Sequence, residues 1–250
     1  MLLAEKKLLY LFLTSSISVL VLAQGVEAKS QIKALQLSQT SSAWGACTVF
    51  ITDNAIRINA QARGFYILSK APNWNIEIGN EKKKKIFKAD TAWGGFSIHR
   101  LSCNLGRIKD YTAKKTTFMG LPATEYSSTE KIRSEDLLAF NRFEKTTKKT
   151  YTSNTNYTVA QCKNVPPPAA LVLTQFYDMP RGSLELPVRL VSLNEGQKQF
   201  RLLTKEIKAV TVDPAIFANK NYLKAARAEE LLLAAPADVT EEMLIDSGLY

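Results

Sequence analysis

Few spacings in this chain could do chemistry, and each can be weighed on residue type. Ser128-Thr129-Glu130-Lys131 has the SxxK form, in which one helical turn brings a lysine amine to a serine hydroxyl and activates it as a nucleophile. The same form recurs at Ser30 to Lys33, and neither an SDN nor a KTG triplet follows, since Lys115-Thr116-Thr117 lacks the glycine. A serine hydrolase is therefore the weakest functional reading. His99 is the only histidine, and no GxSxG turn accompanies it. The acidic pairs Glu135-Asp136, Glu229-Glu230 and Glu241-Glu242 are consecutive, so on a helix their side chains diverge instead of converging on a site.

Cys47, Cys103 and Cys162 are an odd set without a CxxC spacing, so at most one internal disulfide can form and no zinc site is recognisable. A Cys47 to Cys103 bridge and free buried thiols are equal alternatives here. No glycine-rich phosphate loop is present, and neither a cofactor nor catalysis is expected.

Two features remain. The first is the lysine run Lys82 to Lys85, within Asn73 to Phe87 (NWNIEIGNEKKKKIF). It follows Gly79-Asn80, a turn-forming pair, and consecutive strand residues point to opposite faces. The four charges therefore belong to the wet end of a hairpin rather than to an anion site. The second is the alternation of Ile56, Ile58 and Ala60 with Arg57, Asn59 and Gln61, and of Trp74, Ile76 and Ile78 with polar neighbours. Period two places Ile56, Ile58, Trp74, Ile76 and Ile78 on one face of a sheet, the proposed apolar ligand-binding face.

The elements that would position that face are mostly strands. ACTVFITD, AIRINAQA, FYILS and WNIEIG succeed one another across Asp53-Asn54, Arg63-Gly64 and Ala71-Pro72, as in an antiparallel meander. Strands are also expected in TTFMG, ATEYS and the Thr- and Tyr-rich stretch before Gln161. LPVRLVSLN and QFRLLTKEIKAVTV form a hairpin around Asn194-Glu195-Gly196. A helix should follow the triproline Pro166-Pro167-Pro168, another should cover residues 134–144 behind Ser134, and the end should be helical from Tyr222 to Pro236. A last short helix runs from an Asp238/Glu241 capping box to Gly248. The fold class is α+β: a curved antiparallel β-sheet, an incomplete barrel, covered by a few helices.

Residues 1–23 read as a secretory signal, with Lys6 and Lys7 before an apolar run and small residues at the cleavage point, the alternative being an uncleaved membrane anchor. Ala23 is the first choice of cleavage site and Ala28 the second. Residues 24–45 read as a linker or short helix, 46–235 as the domain, and 236–250 as a short helical tail. Removing the leader leaves 227 of the 250 residues and lowers the formal charge from +10 to +9, because two lysines and one glutamate leave with it. A basic exported protein favours anionic neighbours such as a membrane surface, and nucleic acid is not an expected partner.

The export signal, the meander from Thr48 to Asp90, the returning TTFMGLPATEY, the turn DMPRGSLELPVRL and LLTKEIKAVTVDPAIFA together resemble the LolA/LolB-like extracytoplasmic lipoprotein-carrier superfamily over residues 46–233. The resemblance implies an incomplete barrel wrapped over helices, with an interior that accepts or senses acyl chains. The chain departs from the carriers in an extra polar segment near residues 130–160, and no lid arginine aligns. No functional residue is carried over from the family. The expected function is thus an exported, noncatalytic protein holding a lipid or other apolar ligand in a periplasmic or cell-envelope compartment. The alternative is a structural or regulatory envelope protein with a filled core that acts through protein partners.

Overall fold

A computed structural model describes residues 31–89, 111–133, 150–177, 179, 184–194 and 197–232. The leader, His99, Cys103, the helix expected over 134–144 and the C-terminal tail lie outside the described residues.

One sheet of twelve strands dominates. The first meander comprises β1 (Ile32–Ser41), β2 (Gly45–Ile51), β3 (Ala55–Ala60), β4 (Phe65–Lys70), β5 (Asn75–Asn80) and β6 (Lys85–Ala89). The second comprises β7 (Thr112–Phe118), β8 (Leu121–Arg133), β9 (Thr150–Ala160), β10 (Leu186–Asn194) and β11 (Gln197–Val212). They join where β1 pairs antiparallel with β11, Leu37 opposite Ile207. The two-residue strand β12 (Leu223–Lys224) adds to β6 in parallel, the one departure from antiparallel pairing among the described residues. The order β12-β6-β5-β4-β3-β2-β1-β11-β10-β9-β8-β7 is linear, so the sheet is open, not closed into a barrel. Breaks of register occur at Ser38/Gln39, Leu190/Val191 and Pro187/Arg189. Each bulge bends its strand and raises the local twist.

Turn chemistry fixes the first meander much as its residues suggest. Thr52 and Asn54 bond across the β2–β3 turn, and Gly64 takes the left-handed conformation (φ 70) after a 3₁₀ turn at Gln61–Arg63. The lysines fill the Glu81–Lys84 turn and the first position of β6, and Asn80 Oδ1 accepts the Lys83 N–H at 2.9 Å. Gly79, however, is not a turn residue. It pairs with Tyr66 inside β5, and a Cβ there would collide with the Tyr66 ring.

Two helices are described. α1 (Pro167–Phe176) starts behind the extended Pro166, its missing amides costing nothing in a first turn, and buries Val172, Leu173 and Phe176. α2 is described over Glu229–Leu232, up to the last described residue.

Two expectations about whole elements are corrected. The linker or helix expected before residue 45 is instead β1, a strand at the middle of the sheet. Its alternation is masked because Gln39 and Ser41 point inward beside Leu37. The helix expected from Tyr222 to Pro236 is found only from Glu229 among the described residues, and β12 and an extended run precede it. There the Leu223 and Ala225 amides donate to Lys84 O (3.0 Å) and Ile86 O (2.6 Å), so edge pairing overrides helix propensity. The polar face of β3–β5 is covered as well: Arg57 and Glu77 are each 6% exposed. The 3₁₀ segment Pro214–Phe217 packs there, with Phe217 against Ala55, Tyr66 and Leu68.

Candidate apolar site

The isoleucines converge. Antiparallel register aligns Ile207, Leu37, Val49, Ile58, Ile67, Ile78 and Phe87 in one row across seven strands. The next row runs through Ile51, Ile56, Ser69, Ile76 and Ala89. Ile56, Ile58 and Ile78 are 0% exposed and Ile76 1%. Trp74 reaches the same cluster by another route. It ends the β4–β5 turn with φ 52, outside the strand alternation, and packs partly buried against the core.

What lies over this face is helix and aromatic ring. Leu173 and Phe176 of α1, with Leu231 and Leu232 of α2, belong to the same apolar cluster as the isoleucines. Trp44 stacks on Phe176 (5.5 Å between centroids, 17°) and meets Phe65 edge-on at 5.4 Å. Its Nε1–H donates to Phe176 O at 3.3 Å, closing the C-terminal end of α1. At the far end of the cover, Asn80 Nδ2 donates to Leu231 O at 3.3 Å. Lys83 Nζ donates to Glu230 O at 2.6 Å and Lys85 pairs with the Glu230 carboxylate at 3.4 Å.

A polar knot ties α1 to the sheet centre. Tyr177 Oη donates to Gln39 Oε1 (2.9 Å), and Gln39 Nε2 donates to Thr204 Oγ1 (3.0 Å). Beside it Cys47 is a free, buried thiol, pushed up to about 12 by burial, with a partly offsetting hydrogen bond from Tyr177. Burial also raises Tyr177 well above its usual range, with Cys47 adding to the effect. Neither group is poised to ionise near neutrality, which suits packing and not nucleophilic chemistry. Cys162 is likewise free and half-buried.

Within the isoleucine rows one buried polar atom has no hydrogen-bond partner: Ser69 Oγ, opposite Ile56 on one side and Ile76 on the other. Sequence reasoning passed over it because an isolated serine in a strand carries no signal until register places it.

The SxxK reading loses its geometry. Ser128 and residue 131 both lie in β8, where positions three apart sit on opposite faces and about 10 Å apart, so no helical turn brings them together.

The reverse face holds a cleft of about 520 Å³, lined by Arg57, Tyr66, Glu81, Lys82, Ile216 and Lys220 among others. None of the five residues expected in the ligand face lines it. Among the described residues no group of His, Cys, Asp or Glu could hold a metal ion, and no helix is long and apolar enough to cross a membrane. Compared with known proteins, the chain matches no family model and no curated protein.

Proposed function

We propose that this is an exported, noncatalytic binding protein of the LolA-like half-barrel type, which holds a lipid acyl chain or similar apolar group between the isoleucine face and its helical cover. The bulges in β1 and β9–β11 would curve the open sheet around that guest. Support comes from one arrangement: a continuous apolar face roofed by α1 and by Leu231 and Leu232 of α2, with the unpaired Ser69 hydroxyl inside it. An unpaired buried hydroxyl costs roughly 1–3 kcal/mol, a loss that a guest with one polar atom would remove. The basic composition suits delivery from or to an anionic membrane surface. Protein purified from its own cell envelope should yield an acyl-chain species on organic extraction and mass spectrometry. Extracts without one, together with no uptake of an apolar fluorescent dye, would refute the reading.

A second reading has its own observation. The zero exposure of Ile56, Ile58 and Ile78 and the tight stack of Trp44 on Phe176 also describe a filled core. The protein would then act through a protein partner in the envelope. A recurrent protein adduct on crosslinking in cells, from chains that carry no extractable lipid, would favour it over the first.

A further inference from the structure

We infer that the cleft on the reverse face of the sheet is a separate binding site, for a small amphiphilic oxyanion such as a phosphate monoester carrying an apolar group. Arg57 carries the argument. It is buried in the middle of β3, yet its guanidinium lines the cleft. Three contacts fix it in place: Nε donates to Asn59 Oδ1 at 2.7 Å, Nη1 donates to Ile216 O at 2.9 Å, and the Tyr66 ring lies 4.0 Å beneath it. A guanidinium pre-set in this way presents its remaining N–H groups as a fork suited to an oxyanion.

The remaining charged partner is the weak one. Nη2 donates to Glu81 Oε1 at 3.1 Å, but the Glu81 side chain is 58% exposed against 7% for Arg57. An exposed carboxylate contributes little and exchanges readily with solvent. Glu81 therefore occupies the position an incoming anion would take. Lys82, next in sequence, and Lys220 supply two further cations, against one further carboxylate, Asp213, whose Oδ1 accepts the Ala215 N–H. Ala215 and Ile216 give the cleft an apolar side that a bare inorganic ion would not use, whereas Ala60 and Phe65, which also line it, turn their side chains into the isoleucine cluster. A volume of 520 Å³ is of small-molecule size. The site faces away from the isoleucines, so it stands or falls independently of the function proposed above.

The test is calorimetric titration of the full chain with phenyl phosphate, alongside inorganic phosphate and vesicles of phosphatidylcholine with or without phosphatidylglycerol. Phenyl phosphate should bind saturably and more tightly than inorganic phosphate. Lys82→Ala and Lys220→Ala should each weaken it about threefold and together about tenfold, while Glu81→Gln should tighten it by a similar single step. None of the three side chains is buried, and thermal melts establish that each variant is folded. The sign of the Glu81 effect is decisive, because a merely structural ion pair would give a less stable protein and no gain in affinity. Phosphatidylglycerol vesicles that phenyl phosphate displaces would identify a lipid headgroup as the source of the anion. Vesicles without effect would identify a soluble one. No saturable binding by wild type or Glu81→Gln, or equal affinity in the double lysine variant, overturns the proposal.

Discussion

Gly79 illustrates how much one residue's meaning depends on its neighbours across the sheet. Beside Asn80 it reads as a turn former, whereas the fold uses it as a hole for the Tyr66 ring, whose hydroxyl donates to Glu77 Oε1 at 3.2 Å. Gly79→Ala should therefore destabilise the protein by about 1–3 kcal/mol, the usual cost of overpacking, seen as a lower thermal midpoint. An unchanged midpoint would mean the ring does not sit there. Ser69→Ala makes the opposite kind of demand. Removing an unpaired hydroxyl should leave the midpoint unchanged or raise it, while weakening retention of any guest whose polar atom meets Ser69. Neither residue was legible in the chain, because both roles arise from the strand opposite. Ile56, Ile58, Ile76 and Ile78 were legible as one face, since period two alone decides it. Trp74 joined the cluster through a turn that alternation does not foresee.

At the scale of elements, turns were read well wherever the turn residues carry the geometry, as at Asp53-Asn54, Gly64 and the triproline start of α1. Elements decided by partners were not. β1 looks like a linker because polar Gln39 faces inward, and it can do so only because Thr204 and Tyr177 satisfy its amide. Gln39→Leu should cost about 1–3 kcal/mol, since it takes away the Gln39 partner of the buried Tyr177 and Thr204 hydroxyls. Denaturant titration would measure this, and a neutral result would dissolve the polar knot. The lysine run is the wet hairpin end expected, but with a further use. Lys83 and Lys85 hold α2, and Lys84 lies 5.1 Å from the Tyr222 ring. Because these groups are exposed, removing Lys83 and Lys85 together should cost no more than about 1 kcal/mol. Ala225→Pro acts on the backbone instead. It deletes the bond to Ile86 O, loosens the approach to α2 and should speed entry of an apolar dye measured by stopped flow. A folded variant with unchanged entry would show that guests do not pass by α2.

For the molecule as a whole, the two meanders could be read locally, but their union could not. The β1–β11 seam pairs residues some 170 positions apart, and no short-range signal encodes it. The burial of both faces of β3–β5 is also a whole-chain property, made by the Pro214–Phe217 segment returning to cover Arg57 and Tyr66. Burial has a pH signature. It raises Cys47 from 9.0 to about 12 and Tyr157 from 10.0 to about 12, and it pushes Tyr66 and Tyr177 above their usual range too. The folded chain thus keeps protons that the unfolded chain releases. This stabilisation is complete below pH 9 and is lost as pH climbs from about 9 towards 12. Chemical denaturation at pH 8, 9.5 and 11 should show a progressive fall, shallower in Cys47→Ala. A flat profile would show that these groups are not desolvated.

The apolar face matters to function only if it admits a guest. Native mass spectrometry of the protein released gently from its own cell envelope decides this most directly. The expected spectrum contains the polypeptide plus one acyl-chain molecule, lost on activation and reduced in Ser69→Ala. A spectrum of bare polypeptide alone, with no adduct recovered after incubation with envelope lipids, would contradict it.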